Sequence, residues 1–311
     1  MVGMIPYQPH MPQSVVLSPR DLAILRFLDL TPATAQQIRK ASVTFGDDPF
    51  RDERRVRERM QTLGDAGLVR SFPAAIPGGG VMLYYRLTQE GFRSAFPEAV
   101  DNPPRVSLNE IAPSRLRHAM VTADAIVHTL VACHERGVRV LKTTGDGRLT
   151  LAIGEHRQQP DFHMQLAFAS RTFNLVFEID NATEPLDSHR EQSIRTKILG
   201  YETYQDWVLR SWKDSGEQGP RPSFRVVFLT TGAERANHIL WLARELARNQ
   251  DRRLVYASTQ DAYLSEPHAV TTPILNDHFG QWQALVDPQP TSRFRREPIR
   301  LTPPIVLPQG L

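Results

Sequence analysis

The sequence predicts a two-domain chain of mixed class: a small α+β domain of three helices and a β-hairpin, then a larger α/β domain with helices flanking a mixed sheet. Three observations carry this prediction. Apolar residues recur at helical spacing from Leu22 to Leu28 and from Val56 to Leu63, and two β-like runs follow, ending at Leu87. A proline-rich stretch without periodicity comes next. Beyond it, helix-like and strand-like runs alternate to about residue 260. A length of 311 residues suits two domains. They are expected at 18–97 and 114–285, with a linker over 98–113 and an extended Pro/Arg-rich tail over 286–311.

In the first domain, Ser18-Pro19 is a helix start, and Leu22, Ile24, Leu25, Phe27 and Leu28 make its apolar side. Thr31-Pro32 interrupts it, and Thr34 caps a short second helix that turns Ile38 inward. A longer third helix follows Pro49, with Val56, Met60 and Leu63 on one face. Its other face carries Arg51, Arg54, Arg55 and Arg59, interleaved with Asp52, Glu53 and Glu58. Two runs, 68–72 and 81–87, read as a hairpin joined through Pro77-Gly78-Gly79-Gly80.

In the second domain, Ser114 opens a long amphipathic helix ending at Gly137, with Leu116, Ala119, Ala123, Ile126, Leu130 and Cys133 on one stripe. Strands are expected near 138–143, 149–153, 161–168 and 173–180. In the last of these, Phe173, Leu175, Phe177 and Ile179 face one way, while Glu178 and Asp180 share the opposite face. A helix over about 187–209 has Ile194, Ile198, Tyr201 and Val208 inward, with Lys197 four residues before Tyr201. A strongly apolar strand, Ser223 to Thr231, a helix over about 233–248 and a last strand complete the layers.

Composition narrows the function classes. The chain is 41% hydrophobic and 23% charged, and no run reaches the ~18 uninterrupted apolar residues of a membrane span. The first residues lack the pattern of a secretory signal, so the expected compartment is the cytoplasm, with no membrane partner. Cys133 stands alone, which excludes an intramolecular disulfide and a cysteine-rich zinc site. The formal net charge is +3, and residues 18–97 hold 12 Lys/Arg against 9 Asp/Glu, so the whole excess lies in the first domain.

The order of three short helices and a hairpin, with the run LGDAGLVRS…YYRLTQEGF, resembles a winged helix-turn-helix domain. That resemblance implies double-stranded DNA as partner, with the third helix in the major groove. Arg51, Arg54, Arg55 and Arg59 are then the candidate DNA contacts, joined by Arg70 and Arg86 of the wing. Dimerisation through the same domain is the competing use.

Pro160-Asp161, then Glu178-Ile179-Asp180 and a long helix, resembles the PD-(D/E)XK nuclease arrangement. The resemblance implies that Asp161 and Glu178 hold Mg²⁺ beside a phosphodiester, and Asp180, a third carboxylate close by, joins them as a candidate catalytic residue and metal ligand. Asp180 stands where that motif has Lys, and Lys197 on the next helix is placed to reach the same pocket as the fourth catalytic residue. Tyr201 and Tyr204 are available as nucleophiles, but an inward helical position favours packing, and Trp207, Trp212 and Trp241 read as core or interface residues. With ArgLeuArgHisAla at 115–119 and the run from Glu178 to Glu184, the whole resembles the replication-relaxation family of plasmid and mobile-element proteins. This implies a DNA-binding role in replication or relaxation, with replication proteins or a second copy as further candidate partners. The alternative is a non-catalytic DNA-binding regulator or replication accessory protein with an inert nuclease-like domain.

Overall fold

The computed structural model describes residues 15–303 except 47, 76–78, 102, 104–106, 146–147, 154–155, 189–192, 217, 220 and 288–296. The chain divides into two compact units, 1–116 and 117–311.

In unit 1, α1 (Pro19–Leu30) begins with a reciprocal cap. The Ser18 side chain accepts from the Asp21 amide, and the Asp21 carboxylate accepts from the Ser18 amide. Thr34 and Gln37 repeat this device on α2 (Ala35–Ala41). Two amide donors at each helix start are thereby satisfied. A 3-10 turn, Ser42–Thr44, leads towards α3 (Glu53–Asp65), which is capped by Asp52 and buries Val56, Met60 and Leu63. Arg51 thus precedes the helix rather than lying on it.

The hairpin strands are β2 (Val69–Ala75) and β3 (Val81–Leu87), antiparallel, with a short strand β1 (Ala33–Thr34) on the other side of β3. Residues 76–78 of the expected hairpin loop lie outside the described residues. Thr88 caps α4 (Gln89–Ala95), a helix the sequence reading did not anticipate, and α4 packs against α1. Gly91 is required there: a Cβ would lie 2.0 Å from the carbonyl oxygen of Leu68. Backbone cannot yield that much, so only glycine admits the contact.

Unit 2 is built on a seven-stranded mixed sheet. Its strands are β4 (Arg139–Gly145), β7 (Phe162–Phe168), β8 (Arg171–Asp180), β9 (Arg225–Thr230), β10 (Val255–Thr259), β11 (Leu275–Asp277) and β12 (Trp282–Gln283), in the order β12-β11-β10-β9-β8-β7-β4. The pairs β8–β9 and β9–β10 are parallel and the others antiparallel. The run near 149–153, expected in this sheet, forms a separate hairpin of β5 (Leu151–Ile153) and β6 (His156–Gln158).

Helices cover the sheet as two-faced burial requires. On one face, α6 (Ile194–Asp214) and α7 (Ala233–Leu246) enclose Val176, Ile198, Tyr201, Val226, Phe228 and Ile239. On the other, α5 (Pro113–Glu135) meets α8 (Gln260–Ser265) through a Thr129–Tyr263 hydroxyl contact of 2.7 Å, beside the stacked rings of Phe162 and Phe177. The expected start of α6 near 187 is corrected: Ser193 caps the helix, and 189–192 lie outside the described residues.

Of the tryptophans expected in the core or at an interface, Trp207 is 42% exposed and so lies outside the core, while Trp241 packs against it. Part of the tail makes contacts that the sequence did not signal. In the described stretch 297–303, the Ile299 amide donates to the Gly280 carbonyl, Thr302 bonds Asn237, and Ile299 and Leu301 pack on the core of unit 2. Among the described residues, no helix is long and apolar enough to cross a membrane.

Candidate functional site

Strand register builds the acidic site in unit 2. Phe162 pairs with Phe177 across the antiparallel β7–β8 ladder, and the Asp161 amide donates to the Phe177 carbonyl at 3.1 Å. Asp161 therefore falls opposite Glu178. Its Oδ2 accepts from the Ile179 amide at 2.6 Å, and its Oδ1 lies 2.7 Å from His118 Nε2 of α5. Asn181 Nδ2 approaches the other nitrogen, His118 Nδ1, at 3.3 Å. The Asp161 bond holds the His118 pKa above the ordinary imidazole value, against the opposing effect of burial.

Glu178 projects towards α6 and is 1% exposed. Lys197 Nζ donates to Glu178 Oε2 at 2.9 Å and to Glu184 Oε1 at 2.9 Å. Glu178 Oε1 accepts from the Tyr201 hydroxyl and, at 3.3 Å, from Gln158 Nε2. Burial raises the Glu178 pKa, with Lys197 opposing and Asp161 adding to the rise. Burial works against the Lys197 ammonium too, but Glu178 and Glu184 overcome it and the Lys197 pKa moves up. Burial and the neighbouring Glu178 push the Tyr201 hydroxyl well above the usual phenol value, so Tyr201 acts as a neutral donor. Lys197 thus supplies the positive charge among these acids.

Asp180 has a different environment. Its parallel partner on β9 is Thr230, whose hydroxyl donates to Asp180 Oδ2 at 2.9 Å. Arg235 of α7 grips both carboxylate oxygens and also donates to the Glu184 carbonyl. Glu178 and Asp180 are both buried, because α6 and α7 cover that side of the sheet.

The structure therefore brings Asp161, Glu178 and Lys197 together and leaves Asp180 on a neighbouring branch closed by arginine. The three carboxylates do not fit one Mg²⁺ cage, and the expectation for Asp180 as a ligand is corrected. Mg²⁺ needs near-octahedral oxygen ligands with room for water, whereas each oxygen of Asp161, Glu178 and Asp180 already meets a donor or the His118 ring. Among the described residues, no group of three His, Cys, Asp or Glu side chains is placed to hold a metal ion. Sequence reading missed His118, Arg235 and Glu184 as members of this network. Only the ArgLeuArgHisAla run and the Glu178–Glu184 spacing signalled two of them.

In unit 1, Arg54 and Arg55 are open, with side-chain exposures of 85% and 65%, and Arg51 is exposed just before α3. Arg54 pairs with Glu58 at 2.8 Å and Arg57 with Glu53 at 2.7 Å. Exposed i,i+4 pairs of this kind are screened by solvent and contribute little, so a stronger anion can displace the carboxylate. Arg59 is placed otherwise: its guanidinium grips the buried Asp21 carboxylate of α1 and fastens α3 to α1. Arg70 is exposed on β2, over the Phe72 ring. Arg86 is 5% exposed and donates to the Asn109 carbonyl at 2.7 Å, which corrects its expected role as a phosphate contact of the hairpin.

A unit of helices with an antiparallel hairpin and a unit with a covered mixed sheet and an internal acid–lysine network together define a mixed α+β protein. Residues 25–217 match the model of the replication-relaxation family, and the chain belongs to that family. Comparison with curated proteins gives no match. Among solved structures, the chain is similar to restriction endonuclease FokI at 12% identity, over 80% of this chain and 43% of that one, with a TM-score of 0.29. It is also similar to FokI bound to DNA, at 11% identity over 80% and 44%, with a TM-score of 0.27. The chain spans less than half the length of these structures, and a likeness at this level carries no argument about activity.

Proposed function

We propose that the protein binds double-stranded DNA through unit 1 and acts in the replication or relaxation of plasmid or mobile-element DNA. Family membership supports the setting. The helix and hairpin order of unit 1 suits a winged helix-turn-helix reader, with α3 as the groove helix. One observation carries the reading: Arg51, Arg54 and Arg55 are exposed around the start of α3, while Val56, Met60 and Leu63 bury its opposite side. Arginines so placed neutralise phosphates and pair with guanine edges.

An electrophoretic shift of a labelled duplex by the full chain tests this. Binding that weakens in Arg51→Ala/Arg54→Ala/Arg55→Ala is expected, and equal binding by the triple variant contradicts the reading.

A second reading, strand cleavage in unit 2, is favoured by the convergence of Asp161, Glu178 and Lys197. Supercoiled plasmid incubated with the protein and Mg²⁺, or with EDTA, separates the two. Nicking that disappears in both Asp161→Ala and Glu178→Ala supports cleavage. Intact plasmid alongside a shifted duplex identifies a non-catalytic binder.

A further inference from the structure

Unit 1 contains a concavity of about 460 Å³ between the start of α1 and α3, lined by Arg20, Arg51, Arg55 and Arg59 together with Asp48 and Glu58. Three of these charges are already matched: Arg59 holds Asp21, Glu58 holds Arg54, and Arg55 lies 3.8 Å from Asp52 at the surface. Arg20 and Arg51 then face Asp48, which leaves an excess of positive charge within the hollow, with the loosely paired Arg55 beside them. Arg20 is braced there. Its Nη1 donates to the Asp48 carbonyl at 3.1 Å, and its guanidinium lies 4.5 Å from the centre of the Phe50 ring. Its Nε is buried and has no hydrogen-bond partner among the described residues.

A buried guanidinium donor without an acceptor is costly, and such a group calls for a water, an ion or another acceptor that the described residues do not supply. The planar fork of arginine matches two oxygens of one phosphate. From this geometry we infer that the hollow seats a phosphate group, with Arg20 as its anchor and Arg51 and Arg55 as flanking cations. The seat deepens the DNA-binding reading and rests on it for the source of the phosphate, which is then the duplex backbone beside α3. A free phosphate compound presents the same chemistry, so the test has two arms.

In the first arm, affinity of the full chain for a labelled duplex is followed by fluorescence anisotropy over a salt series. Each phosphate contact contributes about 0.9 to the slope of log K against log salt. Arg20→Gln is expected to lower that slope by about one, and Arg20→Lys to restore part of it. In the second arm, pyrophosphate is titrated calorimetrically into the full chain. Binding lost in Arg20→Gln marks a seat for free phosphate compounds.

A response to Arg20→Gln in either arm supports the seat, and no response in both overturns it. A wild-type chain that ignores the duplex but binds pyrophosphate through Arg20 removes the DNA-binding reading and keeps the seat. Should Arg20→Gln fail to fold, Asp48→Asn decides: it removes the opposing charge, keeps the backbone carbonyl, and is expected to tighten binding several-fold in the responding arm. Unchanged binding by Asp48→Asn then overturns the seat.

Discussion

Lys197 Nζ lies 2.9 Å from Glu178 Oε2 and the same distance from Glu184 Oε1, so one ammonium from α6 ties the end of β8 to the segment that follows it. Removing one partner of a buried pair leaves an uncompensated charge, a loss of about 3–5 kcal/mol, whereas removing both costs less. Lys197→Met is therefore expected to destabilise unit 2 by that order, and Lys197→Met/Glu178→Gln to recover part of it. Urea unfolding followed by circular dichroism measures both. Equal stability of Lys197→Met and the wild type would show that the pair is not a structural tie.

Asp21 joins two roles, as partner of Ser18 in the α1 cap and as acceptor for Arg59 of α3. Burial acts to raise its pKa, but Arg59 and Ser18 outweigh burial and bring it below the ordinary 3.8. A lowered folded-state pKa means stabilisation that is present above 3.8 and lost as pH falls through the lower value. Asp21→Ala leaves the Ser18 amide and the Arg59 guanidinium without their acceptor and is expected to cost about 1–3 kcal/mol. It should also flatten the acid limb of a stability–pH curve, and an unaltered acid limb would count against the Asp21–Arg59 tie.

His118 shifts the other way. Its pKa is raised above 6.5 by the Asp161 bond, so its stabilising contribution is complete below pH 6.5 and is lost as pH rises through the higher folded-state value. Nuclear magnetic resonance titration of the His118 ring is expected to give a midpoint above 6.5, and Asp161→Asn to bring it down. A midpoint below 6.5 in the wild type would contradict the pairing.

Local chemistry made much of unit 1 legible. Ser18 and Thr34 announce helix starts through the backbone amides they satisfy, and the Val56, Met60 and Leu63 spacing selects the inner face of α3. The fates of Arg59 and Arg86 were not legible, because a helical wheel does not show that Asp21 waits on α1 or that Asn109 folds back over β3. In unit 2, alternation in β8 put Glu178 and Asp180 on one face, and the Pro160-Asp161 signal led to the position opposite Glu178. The separation of Asp180 from Lys197 depends on Arg235, which is 55 residues away in sequence. Short strands such as β1, β11 and β12 lack the length for a period to register.

The central claim is that the exposed arginines of α3 contact DNA, and the affinity of Arg54→Ala/Arg55→Ala for a duplex tests it most directly. Both side chains are open and their ion pairs lie at the surface, so the fold should survive the change. Anisotropy at fixed salt is expected to show binding weaker by about 1–3 kcal/mol. Wild-type affinity in a folded double variant would contradict the account.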